Sequence, residues 1–249
     1  MALLDAAAVQ VFGDALHDSD ACTVHRARLL DPGASSGQGG PLALKRIKIS
    51  NTQAFERFER ERAVLQRAEH PCIIKPLFIL EDAPCYGLLL PLAERGSLSE
   101  MLHTPTAGPL PHALIVCFCH DLVSALEYVH NTLYMLHRDI KPANAVADLW
   151  GRAVLIDFDR ACSKDERPGE HRRKGPSGGR HKDYMVGTLV YMAPELLQRR
   201  PWSADSDVYS LAITLNEVVT GCVPFSDVRY RTCLSFAGIP LCLLVKTGS

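Results

Sequence analysis

Apolar positions along this chain repeat with two different periods, and the dominant period changes part-way. From Thr23 to Leu29 and again from Leu42 to Ile49 the side chains alternate residue by residue, which predicts two β-strands. Asp31 to Pro41, between them, is rich in glycine and serine, so a hairpin with a long loop is expected. Cys85 to Leu92 is a continuous apolar run that ends at a proline and reads as a buried strand, followed by the turn-like Glu94-Arg95-Gly96-Ser97. Helical spacing takes over elsewhere. Gln53 to Ala68 and Ala204 to Val219 read as helices, and His112 to Leu133 places apolar residues at 114, 115, 118, 122, 125, 126 and 129, the spacing of one helix face. Ala145 to Ala147 and Ala153 to Ile156 flank Asp148 to Arg152 and predict a second hairpin. A strand-rich amino half therefore meets a helix-rich carboxyl half near residues 91–96.

One charge interrupts this pattern. On the helix over 53–68, Phe55, Phe58, Leu65 and Ala68 form a stripe, and Glu61 falls inside it because 58, 61 and 65 are three and four apart. A carboxylate turned inward is costly unless a cation meets it, so the helix alone favours a solvated Glu at the stripe's edge. A cation on a facing strand reverses that preference, and Lys45 lies on the strand over 42–49.

Composition narrows the function classes. The 249 residues carry 27 Lys+Arg and 28 Asp+Glu, a net charge of −1, with 47% hydrophobic residues. That excludes wholesale disorder and argues against nucleic-acid or membrane binding driven by net charge. No uninterrupted apolar run reaches the length of a membrane span, so none is expected. The first twenty residues carry Asp5, Asp14, Asp18 and Asp20 and no basic segment, unlike a secretory signal. Nine cysteines include no CxxC pair, which disfavours a zinc site and fits reduced thiols in a cytoplasmic protein.

The candidate chemistry lies in three short segments: His137-Arg138-Asp139-Ile140-Lys141-Pro142-Ala143-Asn144, Asp157-Phe158-Asp159 and Ala193-Pro194-Glu195. Phosphoryl transfer needs a carboxylate to receive the attacking hydroxyl's proton, oxygen ligands for magnesium and a cation on the phosphates. Asp139 and Asn144 are five apart, so one turn can present both, and Asp157 arrives on the next hairpin.

With these segments in order, the sequence resembles the eukaryotic protein kinases, from about Leu16 to Phe225. Leu42-Ala43-Leu44-Lys45 is similar to the strand whose lysine holds the α- and β-phosphates, and Glu61 to its helix partner. The segment from His137 to Asn144 resembles the catalytic loop, Gly187 to Glu195 the end of the activation segment, and Asp207-Val208-Tyr209-Ser210 the start of the helix that braces that loop. The resemblance implies an α+β, two-lobed fold: a small antiparallel sheet lobe over 1–93 and a mainly helical, incomplete lobe over 94–249. It implies ATP and Mg2+ as cofactors, protein substrates, Asp139 as base and Asn144 and Asp157 as metal ligands. Lys141 would mark Ser/Thr acceptors, with Thr188 contacting it and the base. Leu16, Val24, Ala43, Leu90, Pro91 and Ala93 would surround the adenine, with Leu90 as gatekeeper.

Three departures from the family pattern are visible. The glycines of its phosphate-covering loop would stand at His17, Ser19 and Cys22, and Asp18 and Asp20 add negative charge there, which is expected to weaken ATP affinity. Asp159 replaces a glycine, which reads as tuning of the site. The arginine that normally pairs with Glu195 comes from a region not represented here, so Glu195 is expected to lack a cation. Arg138 resembles the arginine that pairs with a phosphorylated activation loop, for which Ser177 and Tyr184 are candidate positions. A Ser/Thr kinase is the leading expectation, and a pseudokinase or scaffold the alternative.

Overall fold

A computed structural model describes residues 2–30, 40–82, 85–105, 108–165 and 188–226. The loop expected at 31–41 lies mostly outside these residues, as do Ser177, Tyr184 and the apolar tail over 233–245.

Six strands form one sheet: β1 (Ala2–Leu3), β2 (Val9–Asp18), β3 (Cys22–Leu29), β4 (Leu42–Ile47), β5 (Phe78–Asp82) and β6 (Cys85–Pro91). Their order is β1-β5-β6-β4-β3-β2. Five strands pair antiparallel, and β1 adds to β5 in parallel. The alternation at 23–29 and 42–49 corresponds to β3 and β4, which register Val24 opposite Lys45. The expectations did not include β2. It is the sheet's edge, most of its residues are exposed, and bulges between Phe12 and His17 break its period, so no apolar alternation marks it. Behind Lys45, β6 must pass closely: a Cβ on Gly87 would stand 2.6 Å from the Lys45 carbonyl oxygen.

Helix α1 (Thr52–Arg67) connects β4 to β5 and is capped by the Asn51 side chain, which accepts from Ala54 N–H. The remaining described elements are α2 (Leu98–His103), α3 (His112–Asn131), β7 (Met135–Leu136), β8 (Ala145–Ala147), β9 (Ala153–Leu155), β10 (Cys162–Ser163), α4 (Pro194–Leu197) and α5 (Ala204–Thr220). The architecture is mixed α+β, with a sheet-rich amino part and a helix-rich carboxyl part.

One apolar core runs through both parts. Phe58, Val64 and Leu65 of α1 pack with Ile79 and Leu88 of the sheet, and the same cluster takes in Ala125 and Val129 of α3, Leu155 of β9 and Phe158. A second cluster joins Phe118, Leu122 and Leu126 of α3 to Leu211 and Val218 of α5. Helix α3 is long and apolar enough to cross a bilayer by length and composition, yet its stripe is built into these two cores. The outward residues Val116 and Val123 remain 53% and 47% exposed. Phe118→Ala is expected to cost about 3–5 kcal/mol, whereas Val116→Ala stays within about 0.5 kcal/mol. Urea unfolding of the two variants measures both, and equal losses would contradict the packing of α3.

Candidate functional site

Lys45 follows Ala43 by two on β4, so both face the same side of the strand. On α1 the helical period carries Glu61 to the side of Phe58 and Leu65. These two geometries meet: Lys45 Nζ donates to Glu61 Oε1 at 2.7 Å and Oε2 at 2.9 Å. It also donates to Asp157 Oδ1 at 2.8 Å. The three side chains are 12%, 3% and 31% exposed for Lys45, Glu61 and Asp157, so this is a buried arrangement and Glu61 is its driest member. Burial works against the Lys45 charge, but Glu61 and Asp157 outweigh it and hold the amine above the ordinary lysine range. Burial likewise opposes the Asp157 charge, and Lys45 overcomes it, keeping that carboxyl below the usual range. At Glu61 burial prevails and lifts the carboxyl, against the pull of Lys45.

The second half of the site is the loop after β7. Asp207, fully buried on α5, accepts from the backbone N–H of His137 at 2.7 Å and of Arg138 at 2.9 Å, and meets His130 Nε2 at 2.9 Å. Arg138 has φ 72°, a left-handed conformation costly for a residue with a Cβ. The Asp207 bonds hold this bend. Asp139 follows, buried, with Oδ2 accepting from Lys141 Nζ at 2.9 Å and Asn144 Nδ2 at 3.1 Å. Thr188 Oγ1 donates to Asp139 Oδ1 at 3.2 Å and accepts from Lys141 Nζ at 2.9 Å.

The two halves are bonded together. Ile156 N–H donates to Asn144 O at 2.9 Å, and His137 Nε2 lies 3.2 Å from Ile156 O. The His137 ring stands against Phe158 with centroids 4.7 Å apart. Asn144 spends its amide hydrogens on Asp139, at the carbonyl (2.8 Å) and at Oδ2, which leaves its own Oδ1 as an oxygen donor. With the carboxylate of Asp157 it offers the hard oxygen ligands that suit magnesium, which takes few from protein and the rest from water and phosphate. Among the described residues no group of three or more His, Cys, Asp or Glu is placed to hold a metal ion alone.

The residues expected around the adenine are spread over four strands and the segment after them: Leu16 on β2, Val24 on β3, Ala43 on β4, Leu90 and Pro91 on β6, and Ala93 beyond. Ala43 registers opposite Leu90, and Leu42 opposite Pro91. Val24 faces His17 on one neighbour and Lys45 on the other, with Leu16 beside it, half-buried. Ala93 follows two residues after Pro91, and its carbonyl accepts from Gly96 N–H at 3.1 Å.

Each departure has a structural counterpart. Asp18 turns to Lys48 at 2.7 Å, and Lys48 also donates to Ser19 O, so the added charge near the loop tip is met by a cation. Asp159 adopts no left-handed conformation; among this trio it is Asp157 that does, at φ 67°. The consequence of Asp159 is therefore electrostatic. Burial, then the charge of Asp157, raises its carboxyl above the usual range, and its Oδ1 has no hydrogen-bond partner among the described residues. Among the described residues Glu195 meets a hydroxyl: Ser206 Oγ donates to it at 2.8 Å.

Two features were not anticipated. Arg160 Nε stands 3.9 Å from Asp139 Oδ2. Glu217, buried on α5, accepts from Tyr191 at 2.7 Å and meets His103 Nε2 at 2.7 Å. The sequence carried a signal for Glu217 like that for Glu61, since it follows Ser210 and Thr214 by three- and four-residue steps on the buried face of α5.

A family model described as Protein kinase domain matches residues 33–236. A "Protein kinase and PP2C-like domain-containing protein" of Arabidopsis thaliana is 35% identical over 77% of this chain and 30% of its own length. The protein of the same description from Oryza sativa subsp. japonica is 35% identical over 83% of this chain and 32% of its own. "Mitogen-activated protein kinase kinase kinase 2" of Arabidopsis thaliana is 31% identical over 78% and 29%. The chain thus spans about a third of the length of these relatives.

Lys45→Met tests the buried ionic cluster. It leaves Glu61 and Asp157 without their cation, at an expected cost of about 3–5 kcal/mol at pH 7. A carboxyl whose folded pKa lies above its unfolded value, as burial makes that of Glu61, stabilises the fold at low pH and loses this contribution as pH climbs through the folded value. Lys45 pulls the Glu61 and Asp157 carboxyls down, so without it both rise further, the variant gains more from acidification than the parent does, and the deficit should shrink toward pH 5. Urea titrations at both pH values measure it, and a deficit that grows on acidification would contradict this account.

Proposed function

The chain belongs to the protein kinase family, and from that premise we propose that it transfers the γ-phosphate of ATP to serine or threonine hydroxyls of protein substrates. The observation that carries this reading is the setting of Asp139: a buried carboxylate beside Lys141, Thr188 and Asn144, joined through Asn144 and Ile156 to the Lys45–Glu61–Asp157 cluster.

The roles follow from the chemistry each side chain can perform. Asp139 receives the proton of the acceptor hydroxyl as its oxygen bonds to the γ-phosphorus. The bond from that phosphorus to the bridging oxygen breaks, and its electron pair leaves on ADP. Lys45, held charged by two carboxylates, faces the α- and β-phosphates, while Glu61 fixes its position. Lys141, on Asp139 and Thr188, places a positive charge where the transferring group is most anionic. Asn144 and Asp157 hold Mg2+, which neutralises phosphate charge when bound. Leu16, Val24, Ala43 and Leu90 enclose the adenine, with the Pro91 carbonyl and Ala93 N–H at its polar edge. The proline at 91 removes an N–H that this scheme does not use. The acceptor class rests on Lys141, two residues after the base, and its bond to Thr188.

A second reading, a nucleotide-independent scaffold, is favoured by His17, Ser19 and Cys22 at the positions of the covering loop's glycines. The two readings predict different results in a thermal-shift titration with Mg-ATP. Binding to the native state raises the melting temperature, by an amount that grows as the logarithm of nucleotide concentration above Kd. A rise followed by radiolabel transfer to a generic protein substrate is the expected result, and Asp139→Asn should lower that transfer by about a hundredfold or more. Undiminished transfer by the variant would remove Asp139 from its role, and a flat titration would favour the scaffold.

A further inference from the structure

Arg160 directly follows the Asp157-Phe158-Asp159 segment, and the scheme above gives it nothing to do. Its Nε lies 3.9 Å from Asp139 Oδ2 on one side and 3.9 Å from Asp159 Oδ1 on the other. Both separations are those of ion pairs without a hydrogen bond. Asp159 Oδ1 is buried and has no hydrogen-bond partner among the described residues. The guanidinium is thus shared between two carboxylates and captured by neither, and its side chain is 33% exposed. A planar group with five donors in this position keeps them for something that arrives from solvent.

What arrives is constrained by Asp139. A hydroxyl that gives its proton to that carboxylate must come within about 3 Å of it. The residues on either side of the acceptor follow at about 3.3–3.6 Å of chain each, so their side chains reach the space beside Asp139 where Arg160 stands. Lys141, 20% exposed, adds positive charge on the same carboxylate but is committed to Asp139 and Thr188. Arg160 is the less committed cation of this pair, at 3.9 Å from each of two carboxylates among the described residues, and its geometry matches two oxygens of one anionic group.

We propose that Arg160 selects acceptor sites flanked by an anionic side chain, either a carboxylate or a previously attached phosphate. The inference rests on Asp139 as the proton acceptor. Asp159 takes part in this arrangement: it stands as far from the guanidinium Nε as Asp139 does, so the cation is not held on the base alone. A basic flanking residue meets repulsion from both Arg160 and Lys141.

Three peptides that differ only beside a single serine, with Gln, Glu or phosphoserine there, test the proposal by kcat/KM. Matching peptides with Ala in place of the acceptor test it by fluorescence anisotropy. For a partly exposed charge pair the expected gain of an anionic over the Gln peptide is about five- to tenfold. Arg160→Gln should bring the ratio to about one, and Arg160→Glu should invert it. Equal gains for Glu and phosphoserine mean that a carboxylate suffices, and a gain for phosphoserine alone assigns a substrate already phosphorylated nearby. A ratio near one in the parent protein, or one that Arg160→Glu leaves unchanged, overturns the proposal. An Arg160-dependent binding preference without turnover upholds selection by Arg160 and counts instead against Asp139 as base.

Discussion

A single ammonium group on a sheet strand meets carboxylates from a helix sixteen residues away and from a hairpin more than a hundred residues away. Lys45, Glu61 and Asp157 come from three separate elements, and none of them would be stable in place without the others. Glu61 is turned into an apolar core with Phe58 and Leu65, where an isolated carboxylate is costly. Asp157 sits in a left-handed bend that it would not choose unaided. The cation relieves both, and to do so it fixes the sheet, α1 and the β9 hairpin at one mutual distance. Close packing behind it, where Gly87 has room for no side chain, keeps the strand that carries Lys45 from drifting. The same interaction thus orders the fold and gathers the charges that chemistry would use.

Asp207 plays the corresponding part in the helical half, by hydrogen bonds rather than charge pairing. A carboxylate with no exposure accepts two backbone N–H groups and meets one imidazole nitrogen. Backbone strain at Arg138 costs on the order of 1–3 kcal/mol, and bonds to an ionised acceptor are strong enough to offset it. The bend places Asp139 at the mouth of the cleft while α5 stays inside the core. Asp139 is thus positioned through a neighbouring backbone bend that a deeper carboxylate holds.

How legible this was depended on whether a residue's surroundings left a mark on its own neighbours in sequence. Glu61 could be singled out because a charge inside a three- and four-spaced stripe contradicts the stripe, and Lys45 followed as its remedy. The helices over 53–68, 112–133 and 204–219 were legible for the same reason, each within two residues of α1, α3 and α5 at either end. The expectations did not include helix α2, since the turn-like reading covers only 94–97, up to its cap. At six residues it is too short for a periodic signal, though its Ser97–Glu100 capping box was there to be read. Strand β2 left no pattern because an edge strand faces solvent over most of its length. Arg160 is a different case: nothing in one dimension distinguishes a cation that stands beside Asp139 from one that points away. The loop glycine positions could be read, but that Asp18 would turn to Lys48 could not, since the two meet only through the β3–β4 pairing.

These departures share a physical logic. Asp18 adds a charge beside the glycine positions of the covering loop and Asp159 replaces a glycine outright, and an unanswered carboxylate at either place would strain the fold. Asp18 and Asp159 are not unanswered. Lys48 bonds the first, and Arg160 stands within ion-pair distance of the second. Glu195, among the described residues, meets the Ser206 hydroxyl, which stabilises a carboxylate less than a cation would. Around the cleft itself Glu61, Asp139, Asp157 and Asp159 face Lys45, Lys141 and Arg160, so negative charge is left over on the side where Asn144 and Asp157 present oxygen. Substitutions that look like losses when each is taken alone are, in the folded chain, matched by nearby charge that keeps the cleft's electrostatics close to balance.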